Sequence, residues 1–135
     1  MVQVHWRPLL PATADDLLDG VEFGDGYLRE LTFRSSCGEG AQQSAVALLD
    51  VRRVGQTRWV QLHIEFSRLA RWKVVDLGTF SWVLDDKPQL VQDEAGLLHL
   101  DLDNPGEERT VDEMAERSHL YLAARQIRWA ITDTG

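Results

Sequence analysis

The sequence predicts a mainly β (α+β) domain, an antiparallel sandwich or open barrel of seven to eight strands with one or two short helices. Three observations carry this expectation. Val60, Leu62, Ile64 and Phe66 alternate with Gln61, His63 and Glu65, which puts the first set on one face of a half-buried strand. Turn-forming clusters separate short apolar stretches along most of the chain, as in antiparallel sheets. Helix signals are confined to brief segments.

Taken in order, residues 13–20 fit a turn or two of helix, capped by Thr13 and stopped by Gly20. Residues 27–34 form a strand candidate with Tyr27, Leu31 and Phe33 on one face. The loop around Cys37 joins it to a strand over 44–54, and Gly55-Gln56-Thr57 turns that strand into 58–66 as a hairpin. Two further strands are expected at 69–75 and 79–84, around Gly78, with Phe80, Trp82 and Leu84 sharing a face. A second hairpin pairs 89–92 with 97–102 through Asp93-Glu94-Ala95-Gly96. There Leu98, Leu100 and Leu102 oppose His99 and Asp101. Thr110-Val111-Asp112-Glu113 has the spacing of a capping box, so a short helix runs to about Arg117. Residues 119–131 mix signals: 122–126 favour helix by propensity, whereas 127–132 alternate as a strand. The expectation is a strand with a kink.

The 135 residues (15.4 kDa) are expected to form a single domain. Hydrophobic residues at 44% and charged residues at 27% argue for a globular chain rather than a disordered one. Fourteen cations against 22 anions give a net charge of −8, which argues against nucleic acid as a partner. Apolar runs such as 45–49 are too short to span a bilayer. No basic start followed by an apolar stretch opens the chain, and Cys37 is the one cysteine. Together these lead to the expectation of a cytoplasmic protein without membrane association.

Charge is unevenly spread, from −5 over residues 1–50 to +4 over 51–80 and −7 over 81–135. Asp101, Asp103, Gly106 and Asp112 partly match a calcium loop. Pro105, however, supplies no side-chain oxygen, and Asp112 is shorter than the bidentate glutamate such loops use. An acidic turn feeding the capped helix is the favoured reading. His63 and Glu65 share a strand face and suit a metal or an acid–base pair, but no third ligand can be placed. His5, His99 and His119 lack metal-ligand spacing, and histidines on the outer face of a sheet are expected to face solvent. Ser67, Ser81 and Ser118 stand in no nucleophile-elbow context. Gly20, Gly24 and Gly26 match no phosphate-binding loop. No catalytic residue, metal site or cofactor is expected. Of the five tryptophans, Trp72 and Trp129 are flanked by cations, which suggests a partly exposed edge able to serve as a contact point.

Residues 23–31, 62–69 and 120–129 together resemble the small acidic β-rich immunity-type domains of bacterial polymorphic toxin systems and related families of unknown function. Those families place a His-Asp pair before an early strand and end a later strand in Phe-x-x-Val or Phe-x-x-Leu. Here Gly24 stands in place of the histidine before Asp25, while Phe66-Ser67-Arg68-Leu69 fits the second element. The resemblance implies a non-enzymatic protein that binds a toxin and blocks its surface. With a basic toxin domain as partner, Asp85, Asp86, Asp93, Glu94, Asp101 and Asp103 would supply the complementary charge, and Trp72 and Trp129 the aromatic contacts. The alternatives are a structural or self-assembling subunit and a metal-dependent enzyme built on His63 and Glu65.

Overall fold

A computed structural model describes residues 4–38, 40, 42–75 and 82–133. The elements are β1 (Arg7–Pro8), α1 (Ala14–Leu18), β2 (Val21–Ser35), β3 (Gln43–Arg53), β4 (Trp59–Val74), β5 (Gln89–Gln92), β6 (Leu98–Asp101), α2 (Val111–Arg117) and β7 (Leu120–Asp133). The strands form one seven-stranded antiparallel sheet, curled into a half-barrel, in the order β2-β3-β4-β7-β6-β5. β1 pairs with β7 beside β6. Among the described residues, no helix is long and apolar enough to cross a membrane.

The expected β3–β4 hairpin forms, in a register that runs from Arg52 opposite Trp59 to Ser44 opposite Ser67. Val60, Leu62, Ile64 and Phe66 are all buried, as their alternation requires. The strand expected over 69–75 is not separate. β4 runs through Ser67-Arg68 as one strand, with Arg68 in a left-handed conformation (φ 55°) and a register shift between Leu69 and Arg71. These irregularities bend the long strand and help the sheet curl.

β2 departs from the expected single face. Leu28 sits opposite Leu49 but Glu30 opposite Leu48, so Arg29 is an inserted residue. An insertion reverses the alternation. Tyr27 therefore faces away from Leu28, while Leu31 and Phe33 lie opposite Ala47 and Ala45 on the core side. Of the strand expected at 79–84, residues 79–81, including Phe80, lie outside the described residues. Trp82 to Leu84 make no regular strand. A single bridge joins Val83 to Tyr27, and the Leu84 amide donates to the Gly26 carbonyl at 2.7 Å.

β7 is a strand throughout, although Leu122-Ala123-Ala124-Arg125-Gln126 is locally helix-forming. It is flanked by β4 on one side and by β6 and β1 on the other, and that pairing overrides local propensity. The core residues Leu122 and Ala124 lie at even positions, but Ile127 and Trp129 at odd ones. The buried face of the strand thus changes parity around Arg125.

One face of the sheet carries the main core, to which α1 adds Ala14 and Leu17. Thr13 does not cap α1. Its hydroxyl turns back to the Leu10 carbonyl at 3.4 Å. Gly20 does end the segment tightly, because a Cβ there would come within 2.5 Å of the Asp16 carbonyl oxygen. The capping box of α2 forms in full: the Glu113 amide donates to the Thr110 hydroxyl at 3.2 Å, and the Thr110 amide to Glu113 Oε1 at 3.1 Å. Lys73 from β4 donates to the Ala115 and Glu116 carbonyls, satisfying the other end of α2. On the sheet face opposite the main core, Met114 of α2 packs with Leu97, Tyr121 and Ala123 in a second, smaller core.

Candidate functional site

The β5–β6 hairpin forms as its turn chemistry predicts. Asp93 Oδ1 accepts from the Ala95 and Leu97 amides, both at 2.9 Å, and Gly96 takes the positive φ of 84° that the turn needs. Leu98 and Leu100 face the main core, and His99 and Asp101 the other side. That other side is not solvent. α2 and the 102–109 segment help to cover it, leaving His99 1% and Asp101 0% exposed.

Two polar networks fill this covered face. His99 Nε2 lies 2.9 Å from Asp93 Oδ2, so this nitrogen carries the proton and donates to the carboxylate. In the neutral ring, Nδ1 then accepts from the Tyr121 hydroxyl. The His99 hydrogen bond, followed by that of the Leu97 amide, holds the Asp93 carboxyl below its ordinary value. In the second network, Arg109 Nη1 donates to Asp101 Oδ2 and to the Asp103 carbonyl, each at 3.0 Å. Burial pushes the Asp101 carboxyl up, against the opposing effects of Ser118 and Arg109. Asp103 Oδ2 in turn accepts from His119 Nδ1 at 2.8 Å. The calcium-loop candidate is thus organised around a guanidinium that already supplies positive charge to Asp101. Among the described residues, no group of three or more His, Cys, Asp or Glu is arranged to hold a metal ion.

His63 and Glu65 do share a face, but each is engaged elsewhere. His63 Nε2 meets the Thr132 hydroxyl at 3.0 Å, and burial lowers the ring's proton affinity. Glu65 takes a two-pronged bond from Arg128, with Nε to Oε1 at 2.9 Å and Nη2 to Oε2 at 3.1 Å.

The eight expected contact residues are not brought together. Asp101 and Trp129 are buried, Asp101 by its pairing with Arg109 and Trp129 (6% exposed) by its place on the core face of β7. Asp103 and Asp93 are committed to His119 and His99. Glu94 is exposed at the hairpin tip. Trp72 is 47% exposed and packs on Phe33, with ring centroids 5.6 Å apart. Asp85 and Asp86 precede β5, whereas Asp93 and Glu94 follow it. Six residues, four of them β5, lie between the two pairs.

Asp86 has other acidic neighbours instead. An edge lined by Leu18, residues 86–90, Asn104 and 106–108 gathers exposed Asp86, Glu107 and Glu108, with Asp19 joined to it through Lys87 at 3.2 Å. The turn that presents Glu107 and Glu108 is fixed by a buried amide. Asn104 Oδ1 accepts from the Gly106 and Glu107 amides, each at 2.8 Å, and Asn104 Nδ2 donates to Gln89 Oε1 of β5 at 3.1 Å. Gln89 closes the arrangement by accepting from the Arg109 amide and donating to the Arg109 carbonyl, both at 2.8 Å. Asp86 is turned the same way, its Oδ1 accepting from the Lys87 amide at 2.7 Å. Sequence reading missed Asp19, Glu107 and Glu108 because only the tertiary fold brings α1, the 85–88 segment and this turn together. Asn104-Pro105-Gly106 was the available signal, since an asparagine before Pro-Gly marks a turn whose side chain satisfies its own backbone. Glu107 Oε2 also accepts from Arg109 Nε at 3.1 Å and lies 3.8 Å from Arg117 Nη1, whereas Asp86 and Glu108 pair with no cation among the described residues and can meet a basic protein surface. Comparison of the chain with known protein families, with curated proteins and with solved structures finds no match.

Proposed function

We propose that the chain is a non-enzymatic protein-binding domain of the immunity type, which neutralises a basic toxin domain by covering its surface. The observation that supports this reading is the acidic edge of Asp19, Asp86, Glu107 and Glu108, in which the Asn104–Gln89 amide pair fixes the turn that presents Glu107 and Glu108. Carboxylates fixed in place attract a cationic surface without first losing side-chain freedom, which favours fast and selective association. Asp85, beside Asp86, adds exposed charge.

The test is capture on the immobilised chain from a lysate of its source organism at moderate salt, repeated with an Asp86→Asn/Glu108→Gln variant. One dominant basic protein, retained by the native chain and lost by the variant, is the expected result. Its association rate should fall steeply as salt is raised. A salt-independent rate, or equal retention by the variant, would refute the acidic-edge reading. The alternative of a self-assembling subunit draws on β2, with which no described strand pairs beyond Leu28 on the side away from β3. An open edge favours pairing between copies. Light scattering on the isolated chain separates the two, because a stable homo-oligomer points to the second.

A further inference from the structure

β7 meets its neighbours on one side in two pieces. Leu98 of β6 lies opposite Ala124, and Pro8 of β1 opposite Arg128, with the Leu9 amide bonded to the Ile127 carbonyl at 2.8 Å. Between these pieces Arg125 and Gln126 have no strand partner on this side, and the gap opens into a cleft of about 640 Å³. That volume falls within the range of small-molecule sites. Trp6, Pro8 and Leu10 give the cleft its accessible apolar lining, while three arginines, Arg7, Arg125 and Arg128, also border it.

The arginines are not equivalent. Arg128 is bound by Glu65 and stacked 4.3 Å from the centroid of the Trp6 ring, so it forms a fixed wall of little net charge. Arg7 and Arg125 meet no carboxylate among the described residues. Arg7 lies 5.5 Å from the Trp129 ring centroid, and Arg125 is held by one bond from Nη1 to the Ala95 carbonyl at 3.0 Å. A guanidinium has five donors, so the Ala95 bond positions Arg125 and leaves most of its fork free. Elsewhere Arg29, Arg53, Arg58, Lys87, Arg109 and Arg117 all pair with carboxylates. Arg34, Arg52, Arg68 and Arg71, like Arg7 and Arg125, pair with no carboxylate among the described residues, but in this cleft two such arginines lie beside a third that is already neutralised.

We propose that this cleft binds a small organic carboxylate with an apolar body. The carboxylate takes the forks of Arg125 and Arg7, and the body lies against Trp6, Pro8 and Leu10. Planar bidentate pairing suits arginine and carboxylate. The acidic remainder of the protein repels polyanions. The site is separate from the acidic edge and does not depend on the reading of that edge.

The test is an amide-resolved NMR titration of the full chain with indole-3-acetate and with octanoate, and with indole-3-acetamide as the neutral match to the first. Either carboxylate should produce saturable shifts at Leu98, Gln126 and Ile127, and the amide should bind about tenfold or more weakly than indole-3-acetate. Arg125→Gln or Arg7→Gln should weaken carboxylate binding by a similar factor. Both side chains are exposed, so the dispersed spectrum of each variant should be retained and confirms its fold. The proposal is overturned if neither carboxylate gives saturable shifts at millimolar concentration. It is equally overturned if the amide binds as well as indole-3-acetate, or if both variants bind like the native chain.

Discussion

Arg109→Met tests the buried ion pair at the start of α2. Methionine keeps a stem of similar length but donates no hydrogen bond. The substitution strips Asp101 Oδ2 and the Asp103 carbonyl of donors at 3.0 Å, in a pair whose side chains are 7% and 0% exposed. Removing one partner of a buried pair costs about 3–5 kcal/mol, because the remaining charge is stranded. Asp101 keeps the Asp103 amide at 3.2 Å and the Ser118 hydroxyl, so the loss should lie near the lower bound, at about 3 kcal/mol. Urea unfolding at pH 7, followed by tryptophan fluorescence, should show a midpoint lower by about 2 M for a slope typical of this size. The pH dependence fixes the cause. Burial already raises the Asp101 carboxyl, and loss of Arg109 raises it further. A carboxyl raised in the folded state binds its proton more tightly there than in the unfolded chain, so stability falls as pH climbs from the ordinary carboxylate range through the raised value. The deficit of the variant should therefore be smaller at pH 5 than at pH 7. Adding Asp101→Asn removes the stranded charge and should recover part of the loss. A deficit below about 1 kcal/mol, or one equal at both pH values, would refute the reasoning.

Three further outcomes are expected. Thr110→Ala removes the cap of α2 and should cost about 1 kcal/mol, seen as a lower Tm. Asp93 has a lowered carboxyl, chiefly through His99, so its contribution is present above the ordinary carboxylate pKa and lost as pH falls through the lowered one. Asp93→Asn should accordingly flatten the acid limb of a plot of Tm against pH, and an unchanged limb would contradict the His99 bond. Gly106→Ala places a Cβ 2.9 Å from Asp86 Oδ2 at a φ of 92°, and should cost about 1–3 kcal/mol of strain in thermal unfolding.

Legibility followed the range of the interactions. The capping box of Thr110 and Glu113 and the Asp93 turn are made by neighbours in sequence, and both are plain there. The β3–β4 hairpin is nearly as plain, because alternation over residues 60–66 reports one buried face directly. The insertion at Arg29 in β2 left no mark, since Tyr27, Leu31 and Phe33 share a parity that only the pairing with β3 breaks. The burial of Asp101 and His99 was misread because a polar face was equated with a wet one. A signal did exist: residues 120–124 are apolar at every position, which is what a strand covered on both faces requires. Once β7 is recognised as doubly covered, its neighbour β6 must present His99 and Asp101 to the same covering layer. The acidic edge and the arginine-bordered cleft depend on distant segments meeting, and no local pattern announces either.

β7 follows the other described strands in sequence and also joins the two halves of the sheet. Until it is in place, β2, β3 and β4 form a meander whose outer strand offers a row of unsatisfied amides and carbonyls. The β5–β6 hairpin, meanwhile, has no described strand joining it to that meander. During synthesis, a ribosome that has exposed residues up to about 118 holds a chain with much of its apolar surface formed but not yet enclosed. Closure then depends on contacts between residues far apart in sequence, such as His63 with Ala130 and Ile64 with Trp129, which makes for slow folding. The order of translation thus leaves the free edge of β4 available to any other extended chain during that interval. The pairing of β7 with β4 ends that exposure.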